Sequence, residues 1–334
     1  MKRINFILVS VYALTLCIYF QPKLAIAQIA EIETKEEYIV IEGDILIPKH
    51  IYDEKGIEAI YSTNFWPNGI VPFEWDQNVS TQNRTNAINA MQEWENVANV
   101  DFRPRNNEPN FILIRDSAND ADPGNSSEWV GMMGGPQRVN ILDWQIRFII
   151  VHELGHVLGL WHEQSRKDRD DYIQINWNNI QPRFRDQFVK HDAADVYPKK
   201  VYAIDGDKTY DFGSVMHYDR FAFSTQPGVL ETITVLPQYQ AWQNVIGQKD
   251  SLSILDRLTM SFLYPESNWY FVDKTGSGYG TGKFLDPFSD FWFGYLVAPP
   301  ASVLWIQPAT YSAVGTYVKP LTLKAPLGNV ILGK

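Results

Sequence analysis

Residues 152–163 read His-Glu-Leu-Gly-His-Val-Leu-Gly-Leu-Trp-His-Glu, and this stretch restricts the fold more than any other. His152 and His156 are one helical turn apart, so on a helix both imidazoles lie on one face. Glu153 follows the first ligand and can reach a water at the metal without binding the metal itself. Gly159 adopts positive φ at little cost and can end the helix. The chain can then swing back and bring His162 to the same ion. Three neutral imidazoles at about 2.0–2.1 Å leave a fourth position open on Zn2+, a catalytic pattern and not a closed structural one. The apolar run Phe148-Ile149-Ile150-Val151 precedes the motif, as a buried helix requires, and the pattern predicts a helix over residues 144–158.

A second segment supports the first. Ser214-Val215-Met216-His217-Tyr218 follows Tyr210-Asp211-Phe212-Gly213. A long zinc motif followed by a Met in a tight turn is the metzincin pattern. Within that clan the chain resembles the astacin family. Glu163, directly after the third His, and Tyr218, two after Met216, carry the distinction. The resemblance continues through residues 162–166, 168–170 and 172–175, includes Trp66-Pro67-Asn68-Gly69, and covers roughly residues 59–266. One departure is plain: many astacins carry disulfides, and this region has no cysteine.

The resemblance implies an α+β metzincin-type catalytic domain with a twisted mixed sheet, a zinc-binding active-site helix and a Met-turn. It implies a zinc metalloendopeptidase binding one Zn2+ per chain through His152, His156 and His162. Glu153 would then be the general base. Tyr218 would coordinate zinc at rest and swing away to hydrogen-bond the transition state, with Met216 as an apolar floor beneath the histidines. His217 matches a family position but takes no ligand role, and His50 and His191 are expected to be solvated. Glu163 would meet the new N-terminus after activation.

Composition bounds the partners. The chain has 334 residues, a formal charge of −10 and no local Lys/Arg cluster, which argues against nucleic acid or an anionic membrane surface. Lys2 and Arg3, an apolar stretch from Phe6 to Phe20 and Ala25-Ile26-Ala27 read as a signal peptide over residues 1–27, so the protein is expected to be secreted. No other segment approaches membrane-spanning length. The single cysteine, Cys17, lies in that segment, and Leu16 is too large for a lipoprotein site there. A secreted chain without disulfides points to a bacterial source more than an animal one.

Residues 28–58 read as a pro-segment. Its Gly43-Asp44 lies in an apolar frame similar to the astacin pro-peptide motif, whose Asp occupies the zinc. The plain alternative is a short strand with a turn. Processing is expected near Lys55-Gly56 or before Ala59. The peptidase region, residues 59–266, opens with a strand at 69–75. A helix over 80–98 follows, its buried face carrying Ile88, Met91, Trp94 and Ala98 and its start capped by Ser80 or Thr81. Strands are expected at 101–104 and 110–114. By resemblance, residues 129–135 lie near the edge strand against which a protein or peptide substrate is laid as an extended strand. A terminal helix is expected over 253–263. Residues 267–334 read as a small β-rich, β-helix-like unit with strands at 303–306, 320–323 and 329–332. It would pack on the enzyme, bind a surface or polymer, or form an incomplete set of rungs. A surface-binding protein on an inactive peptidase fold is the competing class, and the intact Glu153 with a full ligand set opposes it.

Overall fold

The computed structural model describes residues 38–55, 64–117, 124–191, 210–276, 279–325 and 329–333. The expected signal peptide with Cys17, the candidate processing points at Gly56 and Ala59, and the expected turn at 326–328 lie outside the described residues. Among the described residues, no helix is long and apolar enough to cross a membrane.

The chain begins with a hairpin, β1 (Tyr38–Ile41) and β2 (Ile45–Pro48), paired antiparallel and followed by the short helix α1 (Lys49–Lys55). The peptidase region then supplies β3 (Ile70–Trp75), α2 (Thr81–Glu95), β4 (Asp101–Pro104), β5 (Phe111–Asp116), β6 (Ser126–Glu128) and β7 (Pro136–Ile141). These strands and the hairpin form one seven-stranded mixed sheet in the order β1-β2-β6-β7-β5-β3-β4. Val71, Phe73, Ile112 and Ile114 are buried and feed the main core from β3 and β5.

The α2 helix starts at Ser80, whose hydroxyl accepts from the Asn83 amide at 3.1 Å. It buries Ala87, Ala90, Met91 and Trp94. Ile88 instead points outward, 51% exposed, because it sits one position past the Ala87–Ala90–Met91–Trp94 stripe. Trp94 donates its indole N–H to the Val151 carbonyl at 2.9 Å and pins α2 to the next helix. That helix, α3 (Arg147–Val157), carries the zinc motif and is apolar on nearly every side. It begins three residues later than expected, because Ile146 is extended.

The second half of the peptidase region builds a separate hydrophobic cluster. β8 (Ile173–Ile175) pairs antiparallel with β9 (Ile233–Val235), and Ile180, Phe188, Tyr210 and Phe212 pack around them. Val215 and Met216 belong to the main core, and Tyr218 to this second cluster. The Met-turn therefore joins the two, with the cleft between them. α4 (Ile254–Leu263) closes the region behind a reciprocal cap between Ser253 and Asp256.

Residues 129–135 directly follow the edge strand and do not form it themselves. Trp129 and Gly131 take φ of 80° and 78°, so those residues form a loop. The edge is β6, and β2 lies along it in parallel pairing.

Beyond Tyr264, β10 (Trp269–Val272), β11 (Val303–Ile306) and β13 (Thr322–Lys324) form a parallel three-stranded sheet. β12 (Thr310–Tyr311) and β14 (Ile331–Leu332) form a second parallel pair. A helix, α5 (Phe291–Val297), stands between β10 and β11, where the sequence reading has none. This unit packs on the peptidase region through Phe262 of α4, whose ring meets Trp305 at 5.0 Å and Phe271 at 5.1 Å.

Candidate zinc site and cleft

The spacing in α3 does what helical geometry demands: His152 and His156 lie one turn apart on one face, their rings edge to face with centroids 4.8 Å from each other. The helix ends at Leu158, and Gly159 follows with φ of 106°. Its amide donates to the His156 carbonyl at 2.9 Å, and the Leu160 amide to the Gly155 carbonyl at 2.9 Å, which closes the helix and turns the chain back. His162 arrives at the start of a 3-10 turn, Glu163–Ser165. Gly155 has its own reason. A Cβ there would lie 2.7 Å from the Met216 sulfur, so glycine lets the Met216 side chain pack directly against the helix.

Each imidazole is oriented by its Nδ1–H. His152 donates to the Val215 carbonyl, His156 to the Leu160 carbonyl and His162 to the Glu42 carboxylate, all at 2.8 Å. These bonds turn the three Nε2 atoms toward one point, which is what metal-binding imidazoles require. Asp44, at the tip of the β1–β2 hairpin, completes the group. Its Oδ2 lies 3.1 Å from His152 Nε2 and 3.3 Å from His162 Nε2, and its Oδ1 lies 3.5 Å from His156 Nε2. Four ligands about 2.05 Å from one centre stand about 3.3 Å apart in a tetrahedron. The donor set, with ligand atoms all within 4.8 Å of one another, therefore fits one tetrahedral ion. His156 Nε2 and Asp44 Oδ1 are buried without hydrogen-bond partners, as expected of atoms that face a metal.

Two further orphaned atoms border the group, Glu153 Oε2 and the Tyr218 hydroxyl. The Tyr218 ring lies 4.7 Å from that of His162. His217 stays outside the group: it accepts from the Tyr210 hydroxyl at Nε2 (2.8 Å) and donates to the Tyr218 carbonyl at Nδ1 (2.7 Å). Burial pushes its pKa down to about 3, so it stays neutral.

The charges are strongly coupled. Burial alone would raise the Asp44 pKa, but the three histidines hold it well below the usual carboxylate range. Burial and then the Asp44 charge push Glu153 well above that range. Burial takes His152 down to about 3. For His162 burial also acts downward, yet Asp44 and Glu42 outweigh it and lift the group to about 9.

The Met-turn is held from both sides. Asp256 of α4 accepts from the Ser214 hydroxyl at 2.7 Å and the Val215 amide at 2.9 Å, and Gln164 accepts from the Tyr218 amide at 2.9 Å. The turn carrying His162 is tied by Arg166, which is fully buried and binds Glu163 at 2.5 Å and Asp168 at 2.9 Å. A cavity of about 460 Å³ opens beside the group, lined by Asn125, Ile149, Glu153, Tyr218 and Lys249 among others.

Two residues of this site, Lys249 and Glu42, are missing from the sequence reading, and a third, His191, is misplaced by it. Lys249 donates from Nζ to the Val215 carbonyl at 2.7 Å and the His217 carbonyl at 3.2 Å. Burial lowers its pKa to about 8. Glu42 and His191 form a buried pair behind His162. His191 is therefore not solvated as expected; it is only 7% exposed, because the Trp161 ring and the Glu42 carboxylate enclose it. His50 is exposed.

Comparison with known proteins places this geometry. The family model for astacin, a family of peptidases, matches residues 58–265. The low choriolytic enzyme of Oryzias latipes is 34% identical over 238 residues, covering 67% of this chain and 78% of its own. The astacin-like metalloendopeptidase of Mus musculus is 33% identical over 242 residues, 70% of this chain. Bone morphogenetic protein 1 of Xenopus laevis is 37% identical over 215 residues, 63% of this chain. This chain spans 49% and 28% of the length of those last two relatives. Among solved structures, high choriolytic enzyme 1, a hatching enzyme zinc-protease from Oryzias latipes, covers 63% of this chain with 97% of its own at 31% identity and a TM-score of 0.50. The family match, the histidine group on α3 and the Met-turn beneath it lead to one conclusion: the chain belongs to the astacin family of peptidases.

Proposed function

We propose that the chain is a secreted zinc metalloendopeptidase made in a latent form. The observation that supports this reading best is the convergence of His152, His156 and His162 Nε2 with Glu153 at their side. Bound zinc supplies a Lewis acid that acidifies water and polarises a peptide carbonyl. Glu153 takes the proton at its free Oε2 and later delivers it to the leaving amine. Burial and the Asp44 charge beside it raise the Glu153 pKa, so departure of Asp44 with the pro-segment would lower it and prepare Glu153 as a base. The Tyr218 hydroxyl, which has no hydrogen-bond partner here, donates to the oxygen on which charge develops.

Edge strand β6 would take the substrate backbone. At present Ser127 N–H donates to the Asp44 carbonyl at 2.9 Å and Trp129 N–H to the Leu46 carbonyl at 3.1 Å, so the hairpin holds the place of a peptide. Latency then has two parts: the Asp44 carboxylate at the fourth ligand position and β2 along the edge. Gly43 permits the close approach, since a Cβ on it would lie 2.6 Å from the Phe223 ring. Lys249 is the cation among the residues lining the cavity, and we infer a preference for acidic side chains in the part of the substrate that enters there.

The test is metal-dependent proteolysis. Protein cut between residues 48 and 64 should carry about one zinc per chain, cleave a peptide library internally and lose activity to a chelator. Full activity after exhaustive zinc removal would sink the proposal.

A further inference from the structure

The metal site accounts for Asp44 but not for the second carboxylate of the hairpin tip. Glu42 is two residues upstream, at φ of 49°, a left-handed conformation that is strained for a non-glycine residue. Its side chain is 3% exposed and reaches the far side of His162, turned away from the metal position. Oε2 accepts from His162 Nδ1 at 2.8 Å and from the His162 backbone amide at 3.3 Å. Oε1 meets His191 Nε2. His162 is wholly buried and His191 only 7% exposed, so both donors are desolvated. Three donors thus converge on the two oxygens of one carboxylate, and the strained backbone at Glu42 is kept to place it there.

We propose that His162 and His191 form a carboxylate-binding pocket behind the zinc ligand, and that Glu42 is its ligand in the precursor. The hairpin is then anchored by two carboxylates, Asp44 at the metal position and Glu42 in a site that needs no metal. Placing the pocket on His162 has a consequence for the ligand itself. A metal on Nε2 fixes the hydrogen on Nδ1, and that hydrogen needs an acceptor. Glu42 supplies it while the hairpin is docked. The tautomer that binds the metal is therefore the one that binds Glu42, and each contact supports the other. This inference rests on the reading of the hairpin as a latency segment.

The experiment is amide hydrogen exchange on the full chain, followed in peptides covering residues 38–48. Hydrogen bonds to a charged group contribute about 1.5–3 kcal/mol, so losing one should speed exchange about tenfold or more. Glu42→Gln and His191→Phe should each do so, and the double variant should add little beyond Glu42→Gln, since both act on the His191–Glu42 contact. Exchange in α2 should not change. Glu42→Ala should also release the hairpin, and sodium acetate should restore protection where sodium chloride at equal ionic strength does not. Parent-like exchange in Glu42→Gln, or equal effects of acetate and chloride, would overturn the pocket. Asp44→Ala separates the two readings. If it frees the hairpin while Glu42→Gln does not, latency stands and the pocket falls. If neither frees it, both fall.

Discussion

Replacing Arg166 by Met removes one buried cation that two carboxylates share. Arg166 is wholly buried, with Nη1 on Glu163 at 2.5 Å, Nη2 on Asp168 at 2.9 Å and Nε on the other Asp168 oxygen at 3.0 Å. Methionine matches the stem but leaves the charges of Glu163 and Asp168 without that counter-charge. Breaking a buried pair in this way costs about 3–5 kcal/mol, a large part of a typical total of about 5–15 kcal/mol. The cost should depend on pH. Burial already raises the Glu163 pKa, and loss of Arg166 raises it further, so below that value the group is protonated and the penalty shrinks. Urea unfolding of parent and Arg166→Met at pH 8 and pH 5, with equal m-values, measures this. A destabilisation of at least about 3 kcal/mol at pH 8, smaller at pH 5, is expected. Because His162 and Glu163 are adjacent, zinc affinity should fall as well. A cost below about 1 kcal/mol at pH 8, or one that ignores pH, refutes the argument and makes Arg166 a surface-type pair.

Other outcomes follow from the same geometry. Tyr218→Phe in the processed enzyme should lower kcat by about 10²–10³ with little change in KM, as for loss of one oxyanion donor, and an unchanged kcat removes Tyr218 from the reaction. Asp44→Ala in the unprocessed chain should raise the initial rate on a quenched peptide above the parent's; equal near-zero rates with normal zinc content would leave inhibition to steric cover by the hairpin. Lys249 gives a pH signature: its folded pKa is about 8 and its ordinary value 10.5, so between those values the unfolded chain binds the extra proton. Its cost is fully present below pH 8, and stability relative to Lys249→Met should rise from pH 8 to 10.5; a flat difference across that window contradicts its burial.

Local chemistry made part of the site legible. The histidine spacing, the glycine that turns the helix and the apolar run before it all lie within one short segment, and α3 with Gly159 at positive φ follows from them. What the sequence hid depends on distant pairing. Glu42 and His191 are 149 positions apart and neither belongs to a motif. Lys249 enters the site only because the chain returns under the Met-turn to reach the Val215 carbonyl. β6 reads Ser-Ser-Glu, with no strand propensity, and is a strand because β7 and β2 flank it. α5 reads Phe-Trp-Phe-Gly-Tyr-Leu-Val, apolar throughout, so no period marks it as a helix. Ile88 is misplaced by the sequence pattern because a helix of weak amphipathicity lets neighbouring stripes look alike, and the small Ala87 and Ala90 define the packed face.

The most direct test of the central claim is Glu153→Gln in the processed protein, with zinc content and cleavage rate measured on the same sample. Glu153 is not in the ligand group, so the variant should keep about one zinc per chain. Its rate should fall by about 10²–10⁴, the usual contribution of a positioned general base. A zinc-loaded variant whose turnover stays within about tenfold of the parent would contradict the account, because proton transfer would then have to run through some other group.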